Sequence, residues 1–257
     1  MVAVIADRAI SGLGTSEEEW LPWLAAHPGT PVDADALVPV GHRAVVVAPH
    51  PDDEVLAVGG LLAQLARLPR AMLLVAVTDG TASHPGSTVW PAERLASERP
   101  RESRSAWDSL ALPTGREFEA RRLGFQDGRL QSLRAELASA LTHLLRPTDV
   151  VFTTWRQDGH PDHEATGEAC ATATAGCGAR LIEVPVWAWH WAEPGDERLP
   201  WQRASRLALD AASLRMKRVA VDVFTSQLAA DPSTGAGPIL RSTTVQRAHR
   251  PFEIFFS

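Results

Sequence analysis

At 257 residues, 45% of them hydrophobic and 22% charged, the chain is long enough to bury one substantial core. A single α/β domain over residues 1–257 is therefore expected. A formal charge of −6 argues against the concentrated positive surface that a nucleic-acid partner needs. No apolar stretch approaches the roughly 20 residues required to cross a bilayer, so no membrane partner is expected.

Met1–Ile10 lacks the basic start and long apolar run of a secretory leader, which makes a cytoplasmic protein the expectation. The basic residues are nearly all arginine, with Lys217 the sole lysine, a pattern that suits coding bias better than function. Cys170 and Cys177 sit in an Ala/Thr/Gly-rich segment without metal-site spacing and read as free thiols of a reducing compartment.

Residues 1–40 read as an extension packed on the core. Thr15-Ser16-Glu17-Glu18 offers a capping box, and Trp20, Trp23 and Leu24 give the helix that follows an apolar face. Pro28, Pro31 and Pro39 make a loop-like connector. From Arg43 onward, apolar strands and helical stretches alternate in the manner of βαβ units. Strands are predicted at Ala44–Ala48, Ala71–Thr78, Glu117–Leu123, Asp149–Thr154 and Leu181–Val186, then near Arg206–Leu209 and at Glu253–Phe256.

Helices are predicted at Glu54–Arg67, Ala92–Leu112, Gln131–Leu145, Glu164–Ala175 and from Ala211 to about Gln227. In the second of these, Pro100 should introduce a kink or mark the true first turn. Gly59-Gly60 permits close packing. Trp187, Trp189 and Trp191 alternate as in a strand, and core packing or the interface of a homo-oligomer suits them better than stacking on a sugar. The pattern predicts a Rossmann-like three-layer sandwich with a mostly parallel central sheet.

Two stretches carry the chemistry, Pro49-His50-Pro51-Asp52-Asp53-Glu54 and Asp158-Gly159-His160-Pro161-Asp162-His163. His50, Asp53 and His163 are the right types for a catalytic zinc, since three N/O ligands leave a fourth position for water. Such a site also accepts Fe²⁺ and other divalent ions. Asp52 cannot easily share the metal with its neighbour and would instead take a proton from the water. His160 suits stabilisation of an oxyanion or protonation of a leaving amine, and Asp162 suits support of a histidine better than direct ligation. Taken singly, the aspartates would serve equally well as helix N-caps.

Topology adds a second argument. In a doubly wound order 3-2-1-4-5, the strands ending at Ala48 and Thr154 are neighbours where the order reverses, the place at which open α/β sheets bind ligands. Both stretches follow those strand ends directly.

These paired stretches resemble the signatures of the LmbE/PIG-L family, and the resemblance extends over most of the chain from about Arg43. It implies a zinc-dependent N-acetylglucosaminyl deacetylase or related amidase. It also implies zinc ligation by His50, Asp53 and His163, Asp52 as general base, and His160 as transition-state stabiliser. Some members carry a Tyr two residues before the matching His. Here that position is Asp158, and the chain has no Tyr, so carbonyl polarisation would rest on the metal and His160, or on an Arg such as Arg156.

Arg99 and Glu102 in Arg-x-x-Glu-x-x-x-Ala, and Asp127 in Leu-Gly-Phe-Gln-Asp-Gly, resemble positions that face the sugar. An ion-pair role for Arg99 and a simple turn at Asp127-Gly128 remain the plainer alternatives. The remaining histidines, His190 and His84 among them, have no organised partners.

The expected function is hydrolysis of an N-acetyl group from an N-acetylglucosamine-type sugar or its conjugate. Arg99, Asp127 and Asp158 would lie on the substrate side, and His160, oriented by Asp162, on the reacting carbonyl. An amidase for a non-sugar N-acyl metabolite is the alternative, ahead of a non-catalytic carbohydrate-binding protein.

Overall fold

The computed structural model describes residues 8–27, 29–113 and 115–257. The first seven residues and Pro28 of the expected connector lie outside the described residues. The chain opens with α1 (Glu17–Ala26), β1 (Thr30–Val32) and α2 (Ala34–Leu37). It continues through β2 (Arg43–Ala48), α3 (Asp53–Leu65), β3 (Ala71–Thr78), α4 (Ala92–Ser109) and β4 (Phe118–Phe125). Then come α5 (Arg134–Leu144), β5 (Asp149–Thr154), α6 (Pro161–Cys177), β6 (Arg180–Val184) and α7 (Ala188–Trp191). The last elements are β7 (Ala204–Ala208), α8 (Ala211–Asp222), α9 (Thr225–Leu228), α10 (Ser242–Ala248) and β8 (Phe252–Phe256).

One eight-stranded sheet runs in the order β1-β7-β8-β6-β5-β2-β3-β4. The stretch β4-β3-β2-β5-β6 is parallel throughout and has the doubly wound order predicted from the sequence. Among the described strands only β8 runs antiparallel to its neighbours. The central strands are buried on both faces, and for that reason β2 and β5 read as unbroken apolar runs. Arg43 and Asp149 face each other at the start of these two strands and form a bidentate pair of 2.7 and 2.9 Å, which fixes their register.

At the edges the chemistry changes. Strand β4 is largely exposed and carries Glu119, Arg121 and Arg122, charges that discourage edge pairing. At the opposite edge β1 contains Pro31, tolerated where an N–H is not needed.

Successive strand residues feed two layers. Val46 packs with Val55, Leu61 and Val221 of α3 and α8 on one face, and Val45 and Val47 with Leu137, Leu141 and Ala169 of α5 and α6 on the other. A third cluster at the end of the sheet is built on tryptophans. Trp20 is fully buried and meets Trp189 edge-on at 5.0 Å, with Trp23 and Trp201 alongside. This cluster seats α1, and a buried Glu17–Arg250 pair at 2.6 Å holds it.

Several local expectations are corrected. The capping box of α1 uses Ser16 and Glu19, one residue further on than Thr15 and Glu18, because Thr15 Oγ1 donates instead to the Ala192 carbonyl at 2.6 Å. The tryptophan stretch is a helical turn and not a strand; the N–H groups of Val186, Trp187 and Ala188 all donate to the buried Asp158 carboxylate at 2.9 Å. The helix from Ala211 stops at Asp222, and α9 starts separately where Glu102 accepts from Thr225 Oγ1, Ser226 N and Ser226 Oγ. Pro100 lies in the middle of α4, not in its first turn, and the helix continues on both sides of it.

Candidate metal and catalytic site

Strand β2 ends at Ala48, and Thr78 then clamps the turn, its N–H and Oγ1 donating to Pro49 O at 3.1 and 2.8 Å. Asp52 follows with φ +116°, a conformation a non-glycine residue rarely adopts and which functional sites commonly retain. That turn puts Asp53 at the first position of α3 with its side chain directed back to His50. From the other motif, His163 in the first turn of α6 brings Nε2 to 3.2 Å from Asp53 Oδ2. His50 Nδ1 lies 3.1 Å from the same oxygen. Tetrahedral ligands at about 2.0–2.2 Å from a zinc stand roughly 3.4 Å apart, so these donors are spaced for one ion.

The decisive detail is the second nitrogen of each ring. Asp158 Oδ2 holds His163 Nδ1 at 2.8 Å, so Nε2 presents its lone pair, and that atom is buried without a hydrogen-bond partner among the described residues. On His50, Asp162 Oδ2 and Asp127 Oδ1 face Nε2 at 3.3 and 3.2 Å and leave Nδ1 toward Asp53. Carboxylates behind ligating histidines are how proteins fix tautomer and ring orientation.

Burial opposes a proton on either ring. The surrounding carboxylates outweigh it, raising His163 to about 9 and His50 well above its ordinary value. Burial likewise pushes Asp53 upward, but the charge of His163 and the closeness of both imidazoles hold it far below the usual carboxylate range. An environment that favours positive charge on two buried imidazoles also favours a divalent cation between them.

Asp52 stands apart from this cluster. Its carboxylate makes no capping bond to α3 and is instead 3.1 Å from Arg99 Nη2. Burial raises it to about 7, opposed by Arg99 and assisted by Asp53. His160 is the N-cap of α6, its Nδ1 accepting from the Asp162 N–H at 3.2 Å, so the ring proton sits on Nε2. Burial and the two neighbouring histidines push His160 down to about 3, which keeps it a neutral donor. The orienting group is thus the main chain of Asp162. Its carboxylate serves His50 and accepts from Gly128 N and Leu130 N at 2.7 and 3.1 Å.

The residues expected on the substrate side divide. Arg99 is buried and committed, donating to the Gly80 and Pro51 carbonyls as well as to Asp52. Asp127 borders the cavity, with Oδ2 accepting from Ala82 N at 2.7 Å. Asp158 is fully buried beneath the site, its oxygens occupied by His163 and the amides of α7, and it does not border the cavity. Arg156 is held bidentately by Glu183 at 2.8 and 2.9 Å, which removes it from carbonyl polarisation.

Residues 45–174, just over half of the chain, match the PIG-L family model, described as GlcNAc-PI de-N-acetylase. The chain belongs to this family. No curated protein matches it. Among solved structures, the conserved protein TT1542 from Thermus thermophilus is 25% identical with a TM-score of 0.57, over 84% of this chain and 94% of that one. The zinc-inhibited form of teicoplanin deacetylase Orf2 is 22% identical with a TM-score of 0.57, over 73% and 85% of the two chains. The N,N'-diacetylchitobiose deacetylase from Pyrococcus horikoshii is 19% identical with a TM-score of 0.52, over 81% and 79%. At these identities the last two show a shared fold.

In this PIG-L chain the site opens into a cavity of about 660 Å³. His50, Asp52, Asp53, Arg99, Asp127 and His160 form its polar part. Other walls come from segments the motifs do not touch: Ile10, Trp187, His190, Gln227 and the loop 236–241. His190, without an organised partner in the sequence, gives Nε2 to the Ser11 carbonyl at 2.8 Å. Only the doubly wound order could have pointed to Trp187, which follows β6 as the motifs follow β2 and β5. No helix among the described residues is long and apolar enough to cross a membrane.

Proposed function

We propose that the protein is a metal-dependent N-deacylase that hydrolyses the acetamido group of an N-acetylglucosamine-type sugar or its conjugate. One observation carries the reading: a buried, unpartnered His163 Nε2 at 3.2 Å from Asp53, with His50 completing the set. A divalent ion held by His50, Asp53 and His163, zinc in this reading with Fe²⁺ as the alternative, supplies Lewis acidity toward the carbonyl and lowers the pKa of the attacking water.

The remaining steps belong to side chains. Asp52, buried and close to neutral pH in its proton affinity, takes the water's proton while Arg99 holds its carboxylate in place. The Nε2–H of His160 donates to the oxygen that gains charge as the carbonyl becomes tetrahedral. The C–N bond breaks, the proton passes from Asp52 to the amine, and a carboxylate and a free amine leave. Asp127, at the edge of the cavity, accepts from sugar hydroxyls. Deacetylases that share the fold and the family description support a small-molecule N-acetylated sugar as substrate. A cytoplasmic setting belongs to the same reading, supported by two free thiols.

The test is amine release from a panel of N-acetylated sugars, glycosides and non-sugar amides, with the metal chelated and then restored. Release from amino sugars that depends on metal is expected. Release from non-sugar amides alone would move the substrate, and metal-independent release would sink the mechanism.

A further inference from the structure

The order of the strands sorts the cavity walls. Along the carboxyl edge of the sheet, the metal-binding loops after β2 and β5 stand in the centre. On one flank, after β3 and β4, lie Ser83 and Asp127. On the other flank, after β6, lies Trp187, and the segment around Ile10 crosses the same side, tied by Arg8 to Gln157 O and by Ser11 O to His190. Leu56, one turn beyond Asp53, adds to this wall. All three apolar side chains are half-buried, which for residues bordering a cavity means that part of each faces the space a ligand takes.

A secondary amide is planar and trans, so its acyl carbon and its nitrogen substituent leave the carbonyl in opposite directions. With the carbonyl at the centre and the sugar on the polar flank beside Asp127, the acyl chain runs to the flank of Trp187. Acetyl does not reach far into such a wall, and a cavity of about 660 Å³ exceeds what a single acetamido sugar needs. We infer that the site also takes, and prefers to acetyl, an alkanoyl chain of more than two carbons, seated against Ile10, Leu56 and Trp187. This inference rests on the hydrolase reading above and extends its leaving acid beyond acetate. The reaction is balanced as before: water adds to the carbonyl, the C–N bond breaks, and an alkanoate and a free amino sugar form.

The test is a series of N-acetyl-, N-butanoyl-, N-hexanoyl- and N-succinylglucosamine with the metal-loaded protein, read as kcat/KM for amine release. A buried methylene is worth about fourfold, so N-hexanoyl should exceed N-acetyl by at least tenfold, mostly through KM. Trp187→Ala should bring that ratio to within about threefold. Equal or faster turnover of N-acetyl, or a lead for N-succinyl, which would pair with Arg241 at the cavity, overturns the inference and leaves the hydrolase intact. So does a gain that appears only when an alkyl chain is moved to the glycosidic oxygen of N-acetylglucosamine. If no member is hydrolysed, the hydrolase reading fails separately. The acyl wall is then judged by calorimetry with hexanoate and acetate, where tighter hexanoate binding upholds it and equal affinity overturns it.

Discussion

Asp52 and Asp53 are adjacent in the chain and do different work, because one backbone turn sends their side chains apart. Asp53 faces two histidines and Asp52 faces Arg99. Asp52→Asn should lower kcat by about 10²–10⁴-fold while metal content stays near that of the parent protein, checked by steady-state assay and elemental analysis. Asp158 makes a different prediction. Asp158→Ala frees the His163 ring and strands three N–H groups, so metal affinity should fall by about 10–100-fold, measured by competition with a chelator. The ligands were legible because they stand within two short stretches of suggestive residue types. Asp158 was not, since its carboxylate is spent on amides that arrive from beyond β6, and its match to the position of the Tyr in some family members suggested a substrate-facing place instead.

Within single elements, the structure depends on carboxylates recruited from far along the chain. Helix α3 leaves helical geometry at Val58 (φ −135°), and the N–H groups of Gly60 and Leu61 donate to Glu253 at 2.7 and 2.9 Å. The chain's only lysine, Lys217, completes that buried site with Nζ at 2.7 Å from Glu253. Removing the acid leaves a buried ammonium with only the Leu56 carbonyl and no counter-charge, and two N–H groups unpaired. Glu253→Ala should therefore cost about 3–5 kcal/mol in chemical unfolding, and Lys217→Met in the same background should recover part of the loss.

Hydrophobic pattern revealed most helices and strands here but not their terminations. Asp158 turns a tryptophan repeat with strand-like alternation into a helical turn, and Glu102 opens a separate helix where the sequence promised continuation. Both are tertiary captures of local backbone, invisible to periodicity.

For the molecule as a whole, the parallel order from β4 to β6 followed from apolar runs alternating with helices, and it located the site. The cavity did not follow, because its far wall is assembled from the segment around Ile10 and the loop 236–241, which carry no motif. The packed layer beneath that sheet gives its own prediction. Burial pushes the Cys170 thiol to about 12, so the folded protein keeps it protonated at pH 8 and it should resist alkylation until unfolding, while the half-buried Cys177 reacts; peptide mass mapping distinguishes them. Because the folded value lies above the unfolded one near 9, that thiol's contribution to stability is complete below pH 9 and declines as pH rises toward 12.

The central claim is that His50, Asp53 and His163 hold one catalytic ion and that Asp52 acts beside it without holding it. The direct measurement is metal content together with amine release for Asp52→Asn, Asp53→Ala and His163→Ala, purified and assayed side by side. The account predicts a metal-replete, inactive Asp52→Asn protein and metal-poor, inactive proteins for the other two. Full turnover by metal-stripped Asp53→Ala, or loss of metal from Asp52→Asn equal to that from Asp53→Ala, would contradict it.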